Sequence, residues 1–250
     1  VSTAKLVLLI AIFFLTSIVS VVTGSTSLIT IPAMISLGIE PHAAIATNML
    51  ALTLMSVGGS LPFIGKGILI TGRPLCICIA LTLIGSTLGA LLVLTVPARA
   101  LQIVIAVAMV SVAVFTIRNR NLGVTESPPS RAAERIGYAA TFFLAVYGGF
   151  FSGGYVTLLT TAFVVLFGMN FLQAVANTKL MNVFSSGVAT LIFLRRGIVD
   201  TRLGVILGIA MFFGAWLGGR IVLRLSAVWL RRIFVAAVFA LAINMLWLLH

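Results

Sequence analysis

Four stretches of this chain carry no charged side chain at all: Leu6 to Ile39, Pro41 to Gly65, Pro74 to Ala98 and Ile136 to Thr178. Each is long enough to cross a hydrocarbon core, which takes about 20 apolar residues. Of the 250 residues, 61% are hydrophobic and 8% charged, against roughly 25% charged in soluble domains. No segment is left over for a soluble domain. Runs this long specify helices, because a chain in lipid must satisfy its backbone N–H and C=O groups internally. The alternation over about ten residues that marks a membrane β-barrel is missing. The expected fold class is therefore all-α: a polytopic helical membrane protein whose solvent is the lipid bilayer.

The formal net charge of +12 does not make this a nucleic-acid binder, because the basic residues are scattered over short loops instead of lining one face. Hydropathy and breakers predict spans near 5–22, 43–62, 74–95, 100–117, 136–152, 173–194, 203–223 and 230–249. Two further apolar stretches, 25–37 and 155–169, are too short to cross at about 1.5 Å per residue. Each follows a break rich in Gly, Ser or Thr, so they read as half-helices or re-entrant segments. Cys76 and Cys78 lie two apart on a helix, point in different directions and suggest neither a disulfide nor a metal pair.

The chain repeats. A shift of 130 positions sets LGIEPHAAIATNML, from Leu37, over FGMNFLQAVANTKL, from Phe167, and aligns Gly38 with Gly168, Ala44 with Ala174, Ser56 with Ser186 and Gly67 with Gly197. After the loss of one residue, Gly85-x-x-x-Gly89 falls over Gly214-x-x-x-Gly218. The expected organisation is a first membrane repeat over 1–117, a linker over 118–135 containing Pro128-Pro129, and a second repeat over 136–250. Each repeat holds about four transmembrane helices and one broken half-helix. Because the first segment has an internal counterpart, it is expected to be a membrane helix and not a cleaved signal peptide. The relative orientation of the repeats stays open. Inversion gathers Lys66, Arg73, the linker arginines and the cluster Arg220 to Arg232 on one side, whereas a parallel repeat puts Arg195, Arg196 and Arg202 there.

Broken helices at matching positions of two halves point to a transport site, because the freed N–H groups at half-helix starts hold anions. Both breaks are polar: Thr23-Gly24-Ser25-Thr26-Ser27, and Ser152-Gly153-Gly154-Tyr155-Val156-Thr157. The next helices add Thr47 and Asn48 in one half, and Asn177, Thr178, Lys179 and Asn182 in the other. Lys179 is the sole charge between Ile136 and Leu194, and an ammonium in hydrocarbon costs several kcal/mol unless it faces water or a counter-charge. The candidate substrate-binding set is thus Gly24, Ser25, Thr26, Thr47, Asn48, Gly153, Gly154, Asn177, Thr178, Lys179 and Asn182.

The four acids, Glu40, Glu126, Glu134 and Asp200, sit near loops or helix ends, so the site should prefer a small anionic substrate. Neither a cofactor nor a metal is expected. An anion leaving a negative-inside cell gains about 2.3 kcal/mol per charge per 100 mV, enough to drive export without a coupled cation. Glu40 and His42 flank Pro41 as a candidate titrating pair at a gate. The Gly-x-x-x-Gly motifs permit close helix contact, chiefly within the chain, with a homodimer as the other use. An intramembrane serine protease is disfavoured, because no Gly-x-Ser-Gly occurs and the histidines are His42 at a turn and His250 at the terminus. A passive anion channel and a scaffold subunit of a membrane complex are the alternatives to a carrier.

These features, together with the GKG and RRGIVD loops, the ANTKLMN segment followed by SSG, and the glycine-spaced helix after each loop, resemble the sulfite exporter TauE/SafE family, also called the toluene-sulfonate uptake permease family. The resemblance covers nearly the whole chain. It implies a multi-pass transporter of a bacterial or archaeal inner membrane that exports small sulfur-containing anions such as sulfite, sulfoacetate or other organosulfonates.

Overall fold

The computed structural model describes residues 3–24, 26–101, 103 and 130–224. These residues form helices and no strand: α1 (Thr3–Thr23), α2 (Ser27–Ser36), α3 (Pro41–Ser60) continued by a 3-10 turn (Leu61–Phe63), α4 (Arg73–Val93), α5 (Arg131–Phe150), α6 (Tyr155–Phe167), α7 (Phe171–Arg195) and α8 (Thr201–Val222). The expected spans near 100–117 and 230–249 lie outside the described residues, except for 100, 101 and 103, which are helical. On length and composition, α1, α3, α4 and α8 can cross a membrane.

Helices α3, α5, α7 and α8 start where the sequence supplies a cap for N–H groups that lack a partner within the helix. Glu40 accepts from Ala43 N–H at 2.9 Å with Pro41 in the first turn of α3. Ser130 accepts from Ala133 N–H at 3.1 Å at the start of α5. Asn170 and Gln173 form a reciprocal capping box on α7, and Asp200 accepts from Leu203 N–H at 3.0 Å on α8. The Ser130 cap explains why α5 begins at Arg131 and not near 136, as hydropathy predicts. Its first turns are too charged to register as membrane, yet they are helical.

Side-chain contacts give the direction of each helix. Along α3, Thr53, Ser56 and Gly59 meet Thr190, Asn182 and Lys179 of α7, rising numbers against falling ones, so the two run antiparallel. Along α4, Gly85 and Gly89 lie on Phe142 and Val146 of α5, and Thr82 and Ser86 reach Met181 and Ser185 of α7; numbers rise together, so all three run parallel. The same reading pairs Phe14 and Ile18 of α1 with Gly214 and Gly218 of α8, and Leu50 and Leu54 of α3 with Gly204 and Gly208 of α8. Helices α1, α3 and α8 therefore point one way, and α4, α5 and α7 the other. Of the two arrangements left open, the inverted one matches these directions, since α5, α7 and α8 oppose α1, α3 and α4.

The glycine seams hold these parallel pairs close. A Cβ at Gly89 would collide with the Val146 carbonyl oxygen, and one at Gly218 with that of Ile18. With no hydrophobic force between helices in lipid, such backbone approach is what lets dispersion hold them together. The outer surface is apolar, with Val7, Leu15, Ile84, Phe143, Leu191 and Phe213 exposed. The interior is the reverse. Helix α7 buries Asn177, Thr178, Lys179, Asn182, Ser185 and Ser186 among its neighbours.

Candidate functional site

Call face 1 the level at which α1, α3 and α8 start, and face 2 the level at which α4, α5 and α7 start. Helix α2 returns to face 1, where Lys5 Nζ donates to the Leu37 carbonyl at 3.3 Å. Helix α6 returns to face 2, where the Phe167 ring lies against Gly137. At about 1.5 Å per residue, the 10 residues of α2 and the 13 of α6 reach about 15 and 20 Å inward. Together they match a hydrocarbon core of about 30 Å, so their N-terminal ends meet near its middle.

They meet in contact. The chain turns at Gly24 (φ +69°) and again at Ser152 (φ +64°) and Gly154 (φ +78°), the left-handed geometry that glycine adopts at no steric cost. A Cβ on Gly24 would strike Val156 in the first turn of α6, and one on Gly153 would strike Leu28 in the first turn of α2. Each break therefore packs on the other's half-helix. Thr26 and Ser20 hydrogen-bond through their hydroxyls across the first break, and Tyr147 donates its hydroxyl to the Gly153 carbonyl across the second.

Between the breaks lies a small cavity of about 10 Å³, lined by Ser20, Gly24, Thr26, Ser27, Leu52, Met55, Ser152, Val156, Lys179 and Asn182. The Lys179 side chain is fully buried there, and its ammonium donates to the Ser20 carbonyl at 2.8 Å. No described carboxylate lines this cavity. Glu40 and Asp200 are spent as helix caps, and Glu134 accepts from the Tyr138 hydroxyl at 2.7 Å. Asn182 donates to Ser56 Oγ at 2.6 Å, and its Oδ1 is buried with no partner. Rotating that amide lets Ser56 donate to Oδ1 and frees the NH₂ as a donor, the kind of group an anion requires.

Of the predicted residues, Gly24, Thr26, Lys179 and Asn182 line the cavity. Gly153 and Gly154 shape the second break beside it, and Ser25 lies outside the described residues. Asn48 does not line it: it ties α3 to α2, donating to Ser27 Oγ at 3.0 Å and accepting from Thr30 at 2.7 Å. Thr178, 130 positions on, accepts from Thr160 at 3.2 Å and ties α7 to α6. Thr47 accepts from Asp200 N–H at 3.0 Å, and Asn177 accepts from Ile70 N–H at 2.9 Å. Sequence reasoning missed Ser20, Leu52 and Met55 as lining residues, and placed Ser27, Ser152 and Val156 in the breaks without counting them in the candidate set. Ser20 lies one turn before the glycine, a recoverable signal, whereas nothing separates Leu52 from any other buried leucine.

At the candidate gate, His42 joins Glu40 at 2.8 Å through Nδ1 and the Val96 carbonyl at 2.9 Å through Nε2, fastening the start of α3 to the turn after α4 on face 1.

Comparison with known proteins gives one family model, described as sulfite exporter TauE/SafE, matching residues 9–245. Among curated proteins, the chain is 29% identical over 223 residues to "Probable membrane transporter protein YfcA" of Escherichia coli K12, covering 89% of this chain and 82% of that protein. It is 26% identical over 242 residues to a "Probable membrane transporter protein" of Haemophilus influenzae, covering 97% and 94%. It is 28% identical over 233 residues to "Probable membrane transporter protein ORF9" of a Sinorhizobium species, covering 93% and 89%. No solved structure matches.

Proposed function

The chain belongs to the sulfite exporter TauE/SafE family, a family of multi-pass membrane transporters, and from that premise we propose that it carries small sulfur-containing anions, such as sulfite, sulfoacetate or other organosulfonates, outward through the cavity between α2 and α6. The observation that carries this reading is Lys179: a buried ammonium whose hydrogen bond is to a backbone carbonyl, in a cavity that no described carboxylate lines. Burying a charge without a counter-ion is costly, and a bound anion is the counter-ion that offsets the cost. Two half-helix starts aimed at the same space add N–H donors and the positive ends of two helix dipoles. The remaining wall, Leu52, Met55 and Val156, is apolar and suits a short carbon stub beside the sulfonate oxygens.

An enclosed site supports a carrier over a channel, because a carrier must hold its substrate away from both faces. Counterflow in proteoliposomes tests this. Vesicles are loaded with unlabelled sulfite, a trace of labelled sulfite is added outside, and the experiment is repeated with sulfoacetate. Transient accumulation above that in empty liposomes is the expected result; accumulation of neither anion by folded protein refutes the substrate class.

A further inference from the structure

The geometry points to a second use for two residues first counted as candidate ligands: Thr47 and Asn177 are gate latches, one on each face, that hold a plug loop over the cavity, and transport opens one latch at a time. This rests on the transporter reading above.

The observation is a pair of exchanged hydrogen bonds. The loop that leaves α3 at face 2 delivers Ile70 N–H to Asn177 at the start of α7. The loop that leaves α7 at face 1 delivers Asp200 N–H to Thr47 at the start of α3. Adding 130 to Thr47 gives Asn177, and adding 130 to Ile70 gives Asp200. Each half's loop is thus fastened to the other half's helix by the same positions. Asn177 also donates to the Ile68 carbonyl at 3.4 Å, so the face 2 loop is held at two points.

Both loops are built as plugs. Ile68 and Leu69 in one, and Ile198 and Val199 in the other, pack onto the buried core although they belong to surface turns. Both lie outboard of the site. Asn177 precedes Lys179 by two residues on α7, and Thr47 precedes Leu52 by five on α3, each on the side of its own face. With both latches made, Lys179 is wholly shielded, the closed condition from which a carrier opens to one side. Each latch is one side chain holding loop backbone groups, weak enough to open.

The test uses the full chain with Cys76→Ser and Cys78→Ala and a reporter, Leu52→Cys, in the cavity. Right-side-out and inverted vesicles are treated with a membrane-impermeant maleimide. Thr47→Val should speed labelling several-fold in one vesicle orientation and Asn177→Leu in the other. Unchanged labelling, or an equal rise in both orientations, overturns the proposal. As a second measurement, the pairs Thr47→Cys with Asp200→Cys, and Ile70→Cys with Asn177→Cys, are oxidised in the same background without the reporter. Each disulfide should reduce sulfite counterflow to the level of empty liposomes, with recovery on reduction. Undiminished counterflow in the locked protein overturns the proposal as well. Labelling needs no substrate, so a parent protein that moves no sulfite refutes the substrate reading while the sided labelling still decides the latches.

Discussion

Lys179→Met removes the one positive charge of the cavity while keeping most of the side chain's apolar bulk. An ammonium about 4 Å from a monoanion, at an effective dielectric of about 20, contributes ~4 kcal/mol. Measured hydrogen bonds to charged groups run at about 1.5–3 kcal/mol. Taking ~3 kcal/mol, with a factor of ten per ~1.4 kcal/mol, the affinity for sulfite should fall roughly 100-fold. Stability should not fall with it. The substitution leaves the Ser20 carbonyl without its partner, a cost of about 1–3 kcal/mol, but it also removes a buried ammonium that has no carboxylate beside it. Equilibrium binding of labelled sulfite to purified protein, read beside thermal unfolding in the same detergent, separates the two effects. A variant that unfolds normally and binds within threefold of the parent would refute Lys179 as the counter-charge.

Asn182→Ala should weaken binding by about tenfold, one lost hydrogen bond of ~1.5 kcal/mol, which the same binding assay measures. Asn48→Ala should instead lower stability by about 1–3 kcal/mol, by removing the donor to Ser27 and one of the two acceptors of the Thr30 hydroxyl, and thermal unfolding would show this with binding unaltered in the folded fraction. Gly89→Ala, which drives a methyl into the Val146 carbonyl, should cost about 1–3 kcal/mol as overpacking does; an unchanged melting temperature would mean that α4 and α5 are not in contact. Burial opposes ionisation of Glu40, yet hydrogen bonds from His42 and from the Ala43 N–H hold its carboxyl below the usual range. A depressed carboxylate contributes stability above its unfolded value near 4.5 that is lost as pH falls through its lower folded value, so the melting difference between parent and Glu40→Gln should shrink on acidification below about pH 4.5.

The breaks were legible because glycine next to serine inside an apolar run has few other uses, and both half-helices fall within two residues of where the sequence puts them. Lys179 and Asn182 were legible for a similar reason: polar atoms in hydrocarbon need a partner. The roles of Thr47 and Asn177 were not, because a polar residue inside a membrane protein reads alike whether it faces a ligand or a backbone N–H on a distant loop. Only the fold brings Asp200 to Thr47, 153 positions away in sequence. Helix direction escaped for another reason. Basic residues flank both faces, whereas contact register along α3 and α7 decides it at once.

The neighbour pattern has a consequence for how such a chain is made. Helix α1 packs on α8, and α4 on α5, so neither half finishes its own interior. A ribosome delivering residues up to α4 releases into the lipid a fragment whose Ser86 hydroxyl and Gly89 seam still await α5. Split into two polypeptides, the protein would need its pieces inserted in opposite senses to reassemble, as two copies of one small protein that enters the membrane both ways would do. Made as one chain, both orientations arise in a fixed order and in equal number, which removes the problem of balancing them.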